Sequence, residues 1–275
     1  MMPLEQLLTL GVIQGVTEYL PISSSGHLAL VGLLAPWGDQ GLLFDISLHL
    51  GTLLAVFWYF RQECQGLVKG TRDLLQTHFY TREAQLVWHL GLMTLPAAIL
   101  GYLLADFVAL TARHLLVLGA TSILFGVLLG WADRCKVRLG IDGVGLNWQR
   151  SLMLGVFQAL ALIPGTSRSG SVYTGARLLG YSRVFAGKVT ALSAIPITVL
   201  VVMYAAVKQF GGDAPEALGH WRDFVIGISL TFVTAVLGIH ILMTFVAKVG
   251  AWPFAVYRVI LGIFLLLLGF GVITW

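Results

Sequence analysis

The sequence predicts an all-α integral membrane protein, an inverted repeat with six transmembrane helices plus two re-entrant helix hairpins in a single domain over residues 1–275. Three observations lead there. Hydrophobic residues make up 57% of the chain and charged residues 11%, with a mean hydropathy of +0.87, which excludes a soluble globular domain. Apolar stretches of about 20 residues, the length that crosses a bilayer, recur along the chain. Residues 11–26 also agree with residues 155–170 at six of sixteen positions without a gap, and the matches include glycine, glutamine and serine rather than interchangeable apolar filler.

The chain opens Met1-Met2-Pro3-Leu4-Glu5 with no basic n-region, so a cleaved signal peptide is not expected. The first apolar run passes through Gly11-Val12-Ile13-Gln14, breaks at polar, Pro-containing turn chemistry, and resumes over 26–35. That resumed piece is too short to span a bilayer, so it reads as the return arm of a hairpin. Spans follow at Leu42–Phe60, Gln85–Ala105 and Leu115–Trp131, closing repeat one at about 1–131. Repeat two, about 145–275, opens with Gly155-Val156-Phe157-Gln158, breaks at Pro164-Gly165-Thr166-Ser167-Arg168-Ser169-Gly170, and resumes over 171–179. Its spans are Phe185–Val207, Phe224–Phe245 and Pro253–Ile273. Asp142-Gly143 and Gly211-Gly212-Asp213 are turn formers. The connector 61–84, with Leu67, Leu74, Leu75 and Phe79, reads either as a short interfacial helix or as a solvated loop. Trp58, Tyr59, Trp131, Trp252 and Trp275 fit interfacial belts, and His240 and Arg258 read as packing or snorkelling positions.

The net charge is +4 and no basic run points to nucleic acid; placement of the charge is more informative than its size. Loops 61–84, 132–150, 177–188 and 246–252 carry most of the Lys and Arg, while the opposite side holds Arg113, Lys208 and Arg222. The positive-inside rule therefore sets those four loops in the cytoplasm and both termini outside. Three spans separate the hairpins, so they enter from opposite faces and their tips meet near mid-membrane. Non-helical backbone at that depth must be buried or line a wet cavity, and inverted repeats place binding sites at the repeat interface. Cys64 and Cys135 imply neither a disulfide framework nor a metal cluster. Gly119, Gly126 and Gly130 allow close helix packing, and with it a homodimer.

Gln14 and Glu18 are four apart on a predicted helix and share a face. A carboxylate at membrane depth is costly and marks a functional site, whereas a buried glutamine is as readily a backbone partner. Ser23-Ser24-Ser25-Gly26-His27 stands at a helix start, where Ser23 and Ser25 read as N-caps and free N–H groups favour an anion. Ser24 and His27 are three apart, so hydroxyl and imidazole are expected to converge. The helix dipole disfavours imidazolium and leaves His27 neutral, as base or nucleophile. Arg168 lies between polar turn residues and can grip phosphate in a bidentate fork; Ser167 and Ser169 either add donors or cap the next helix. Asp45 and His49 read as an interfacial pair rather than part of a site.

The run Gln14 to His27 (QGVTEYLPISSSGH), together with Pro164 to Gly170 (PGTSRSG), resembles the bacterial undecaprenyl-diphosphate phosphatases linked to bacitracin resistance. The likeness extends over essentially the whole chain, including span order and the stretch from Phe44-Asp45 to Val56. It implies an enzyme of the bacterial plasma (inner) membrane that converts undecaprenyl diphosphate to undecaprenyl phosphate and inorganic phosphate, recycling the carrier lipid of cell-wall synthesis, with its site open to the periplasmic face. It also implies Gln14 and Glu18 as ligands of a divalent cation, Mg²⁺ or Ca²⁺, with Ser24 as the hydroxyl nucleophile. His27 becomes the essential histidine and Arg168 the phosphate-binding residue. Two departures stand out: many members have Glu where this chain has Gln14, and Val172 replaces a frequent Thr whose role does not pass to Thr174. The expected mechanism has Ser24 attack in line with His27 as base, the rival being a phosphohistidine at His27. Arg168, Ser167, Ser169, Ser23 and hairpin N–H groups hold the phosphoryl group. The polyprenyl tail stays in lipid or a lateral groove, because each CH₂ taken from water is worth about 0.8 kcal/mol. A transporter or flippase using the same phosphate-binding cavity is the alternative.

Overall fold

The computed structural model describes residues 2–35, 37, 42–105, 108, 114–139, 146–210 and 221–273. Among the described residues every regular element is helical. The turn formers at 142–143 and 211–213, Arg113 and Trp275 lie outside them. Helix α1 (Leu4–Tyr19) is followed by the short α2 (Ser24–Leu34), then α3 (Leu42–Tyr59) and α4 (Arg61–Leu75). Next come α5 (Arg82–Leu103), α6 (Leu115–Asp133), α7 (Trp148–Ala159) with a 3₁₀ turn at Leu160–Leu162, and α8 (Arg168–Leu178). The chain ends with α9 (Arg183–Leu192), α10 (Ala194–Phe210), α11 (Trp221–Lys248) and α12 (Trp252–Gly269). Among the described residues five helical stretches are long and apolar enough to cross a membrane, α5, α6, α9–α10 over Arg183–Tyr204, α11 and α12, or six with the bent pair α3–α4 counted as one span.

Two elements take a definite form that the sequence reading left open. The loop 61–84 is largely helix: α4 leaves the axis of α3 at 93°, so its polar residues need not enter the apolar layer. The span expected at Phe185–Val207 stands as one apolar stretch, Arg183–Tyr204, in which the helix is interrupted only at Ser193, between α9 and α10 and three residues before Pro196. Proline removes a backbone N–H and disfavours helix just before it.

The resumed arms are as short as expected, 11 residues each in α2 and α8, or about 16 Å at 1.5 Å per residue. Helix α8 is buried from Ser169 to Arg177, so this polar stretch is shielded by protein as the absence of water in a bilayer demands. Helix α1 lies along α11 in the same direction: Gly11 faces Leu230, Gly15 faces Thr234 and Val16 faces Gly238. Gly15 has to be glycine, because a Cβ there would stand 2.0 Å from Thr234 Oγ1. Helix α7 lies along α5 likewise, with Gly155 against Met93 and Pro96, and Leu162 against Gly101. Gln158 donates to the Met93 carbonyl at 3.1 Å, just before Pro96.

Helices α6 and α12 pack through small residues, as apolar helices in lipid do. Gly119 meets the Gly262 carbonyl, Gly126 meets Arg258 and Gly130 meets Ala255. These glycines serve a contact within the chain.

One end of the bundle is tied by charge. Asp133, 2% exposed, accepts from Tyr173 Oη at 2.9 Å and from Arg183 at 3.0 and 2.8 Å. Arg177 donates to the carbonyls of Asp133, Cys135 and Tyr181. Gly250, at φ +95°, leaves space beside the Asp133 carboxylate. Lys188 pairs with Glu63 at 2.7 Å. These contacts gather the four basic loops onto one face. At the opposite face the Met2 N–H donates to Asp223 at 2.9 Å.

Candidate functional site

The two motifs begin their short helices in the same way. Ser23 and Ser167 both have φ 70°, a left-handed conformation that costs about 1 kcal/mol or more for a non-glycine residue. Each directs its hydroxyl to the serine two places on, Ser23 to Ser25 at 3.1 Å and Ser167 to Ser169 at 3.2 Å. Ser167 caps α8 by accepting from the Gly170 N–H at 3.2 Å, but Ser23, expected to cap α2, makes no side-chain cap bond. The tips touch where the Ser169 hydroxyl donates to the Leu20 carbonyl at 2.9 Å.

At this junction Arg168 Nη2 meets Glu18 Oε1 at 3.1 Å, with side-chain exposures of only 14% and 10%. In so dry a setting an ion pair is far stronger than on a surface, and each charge needs the other. Arg168 also donates to the Thr190 carbonyl at 3.1 Å and lies 5.8 Å from the Tyr19 ring centroid. The other carboxylate oxygen of Glu18 accepts from Gln14 at 3.0 Å and from Ser24 at 3.2 Å. The structure thus brings Gln14, Glu18, Ser24 and Arg168 together, with Ser23 and Ser167 in the turns before α2 and α8 and Ser169 in the first turn of α8.

His27 departs from its expected place. Its Nδ1 faces the Ser23 carbonyl at 2.7 Å; a carbonyl only accepts, so Nδ1 carries the proton. Nε2 is then the acceptor for the Tyr257 hydroxyl at 2.6 Å. Among the described residues no hydrogen bond joins His27 to Ser24; the serine hydroxyl goes to Glu18 instead. The i to i+3 spacing puts the two side chains on one face but does not aim them at one atom.

Three residues enter that the sequence reading either sets aside, His49 and Arg258, or does not name, Tyr257. His49, expected to be interfacial, has its Nδ1 3.3 Å from Gln14 Nε2; Asp45 sits one turn earlier on α3. Tyr257 is the partner of His27 described above. Arg258, read as packing or snorkelling, is 0% exposed and donates to the Gly165 and Thr166 carbonyls at 2.9 and 2.8 Å. The available signal was its position, an arginine six residues inside an apolar span rather than at its edge.

Oxygen donors suit a hard cation, and Glu18, Gln14 and Ser24 provide them. Among the described residues no group of three or more His, Cys, Asp or Glu forms a metal cage.

Residues 7–264 match the family described as Bacitracin resistance protein BacA. The chain is 42% identical over 273 residues to "Undecaprenyl-diphosphatase 2" of Stutzerimonas stutzeri (strain A1501), a match covering 98% of this chain and 100% of that relative. Both matches embrace the two serine-bearing tips and the helices that seat them, and the chain belongs to the Bacitracin resistance protein BacA family.

Proposed function

We propose that this protein hydrolyses undecaprenyl diphosphate to undecaprenyl phosphate and inorganic phosphate at the junction of the two hairpin tips. The observation that carries the reading is the Arg168–Glu18 contact at 3.1 Å, which joins a phosphate-binding side chain of one motif to the carboxylate–serine pair of the other. The name of the full-length relative supports the choice of substrate. The helices are read as an inverted repeat with hairpins entering from opposite leaflets. Each hairpin's first helix runs parallel to a span of the other half, which supports this, as do the matched Ser23 and Ser167 turns. The basic face is cytoplasmic, both termini are outside, and the site opens outward.

Arg168 and the free N–H groups at the start of α8 take the terminal phosphoryl group, exchanging Glu18 for phosphate oxygens. Ser167, Ser169 and Ser23 fix the tips and lie next to the bound group. Phosphoryl transfer needs mainly positioning and charge neutralisation. The Ser24 oxygen forms a bond to the terminal phosphorus while the bridging P–O bond breaks and undecaprenyl phosphate leaves. Glu18, already the acceptor of the Ser24 hydroxyl, takes its proton. Water then attacks the phosphoserine, giving a proton to His27 Nε2 once that nitrogen parts from Tyr257; the Ser24 O–P bond breaks, Glu18 returns its proton to the serine oxygen, and phosphate leaves. Glu18, with the Gln14 amide oxygen, would hold Mg²⁺ or Ca²⁺ together with diphosphate oxygens, and such an ion when bound offsets negative charge on the diphosphate.

The test uses purified protein in detergent and measures phosphate release from farnesyl and undecaprenyl diphosphates. Arg168→Ala and Glu18→Ala should each lower kcat by about 10²–10³-fold, as loss of one charge-stabilising group does elsewhere. A trapped phosphoenzyme should withstand acid; an acid-labile, alkali-stable adduct would move the nucleophile to His27. Lipid binding with no phosphate release by the wild type would leave a lipid carrier instead.

A further inference from the structure

A groove of about 320 Å³ lies between α11 and α12, lined by Ile22, Ile241, Phe245, Pro253, Phe254 and Tyr257. Five of these side chains are hydrocarbon, and the sixth ends in the hydroxyl that stands 2.6 Å from His27 Nε2. The rings of His27 and Tyr257 lie nearly parallel, at 7°. At the inner wall is Ile22, 8% exposed, which immediately precedes Ser23. Ile241, Phe245 and Tyr257 are 41%, 38% and 42% exposed, so the groove opens sideways toward lipid while its inner end adjoins the first hairpin's turn.

We propose that this groove seats the first isoprenoid units of the substrate's tail, with Tyr257 at the lip where tail gives way to phosphate. The proposal rests on the phosphatase reading above and adds where the lipid is recognised. Covalent continuity argues for this occupant. In a prenyl diphosphate the first tail carbon is bonded to a phosphate oxygen, so the tail's seat must adjoin the groups that handle phosphate. Two wall residues of the groove do so: Ile22 immediately precedes Ser23, and Tyr257 bonds His27. Its volume is near the lower end of the ~300–1,000 Å³ usual for small-molecule sites, room for a few five-carbon units, and the remaining tail stays in the bilayer. Lipid tails are as apolar as the groove, so no transfer from water drives the seating. Discrimination then comes from close packing against fixed walls, and a change of shape should alter it measurably.

Phosphate release is measured in detergent for prenyl diphosphates of one, three and eleven isoprene units, with wild-type protein and Ile241→Trp, whose larger side chain fills the groove. The expected result is a KM raised about tenfold for three and eleven units, a KM for the one-unit substrate within about twofold of wild type, and kcat retained throughout. Phe245→Ala, which removes a wall, should likewise raise KM for three units and spare one unit, and it decides the matter should Ile241→Trp fail to fold. Equal changes at every length, or none, overturn the groove as the tail's seat while leaving the phosphatase reading intact. A wild type that releases phosphate from none of the three substrates refutes the phosphatase reading itself, and this proposal with it.

Discussion

Arg258 is a fully buried guanidinium whose described hydrogen bonds go to two carbonyls of the second hairpin's turn. Burying a charge without a carboxylate partner is expensive, and what it holds is the turn that aims Arg168. Gly170 makes room for it, since a Cβ there would lie 2.7 Å from Arg258 Nη1. Arg258→Met keeps most of the packing volume but frees both carbonyls. A loosened tip should lower kcat by about 10–100-fold, the scale on which a misplacement of 1 Å acts, with partial rescue by Arg258→Lys and little change in the amount of folded protein. An equal loss in both variants, tracking loss of folded protein, would make Arg258 structural only. At this scale the sequence showed Glu18, Ser24 and Arg168 because each is a polar group in an apolar run. It could not show that Tyr257, 230 positions from His27, occupies the imidazole, or that His49 reaches Gln14.

At the scale of elements, the broken runs around 11–26 and 155–170 were legible because glycine, proline and serine cannot continue an apolar helix. The 93° bend between α3 and α4 was not, since it depends on how neighbouring helices meet. Helices α6, α8 and α9 and the α11–α12 turn converge on Asp133, whose carboxylate serves Tyr173 and Arg183 and whose carbonyl serves Arg177. Asp133→Ala would leave Arg183 and Tyr173 without that acceptor, and removing one partner of a buried pair costs about 3–5 kcal/mol. Thermal unfolding in detergent should show a clear drop in Tm, whereas Lys188→Ala, at a pair with 39% and 26% exposed side chains, should change Tm little. Similar losses in the two variants would refute the ranking.

For the whole molecule, the contacts among the basic loops make a statement about sidedness that thiol labelling can check. Cys64 on α4 and Cys135 after α6 both belong to the basic face. In single-cysteine variants, a membrane-impermeant maleimide applied to intact spheroplasts should label neither until the membrane is permeabilised; labelling from outside would reverse the proposed orientation. Burial, and then the Glu63 carboxylate, push the Cys64 thiol up to about 11. Only the thiolate reacts, so after permeabilisation the Cys64 rate should climb about tenfold per pH unit through the range below that value. A rate that levels off between about pH 9 and 10 would show an unperturbed thiol.

Composition and the twice-written motif determined, without coordinates, that this is a helical membrane protein whose apolar runs break twice at polar, serine-bearing turns. Those conclusions follow from local physics: apolar length, chain breakers and the cost of charge in lipid are properties of short segments. Only the tertiary structure decided that Glu18 holds both Arg168 and Ser24, that His27 turns to Tyr257, and that Arg258 faces inward. Such contacts join residues far apart in the chain, and helical spacing fixes the face on which a side chain lies but not the partner across from it.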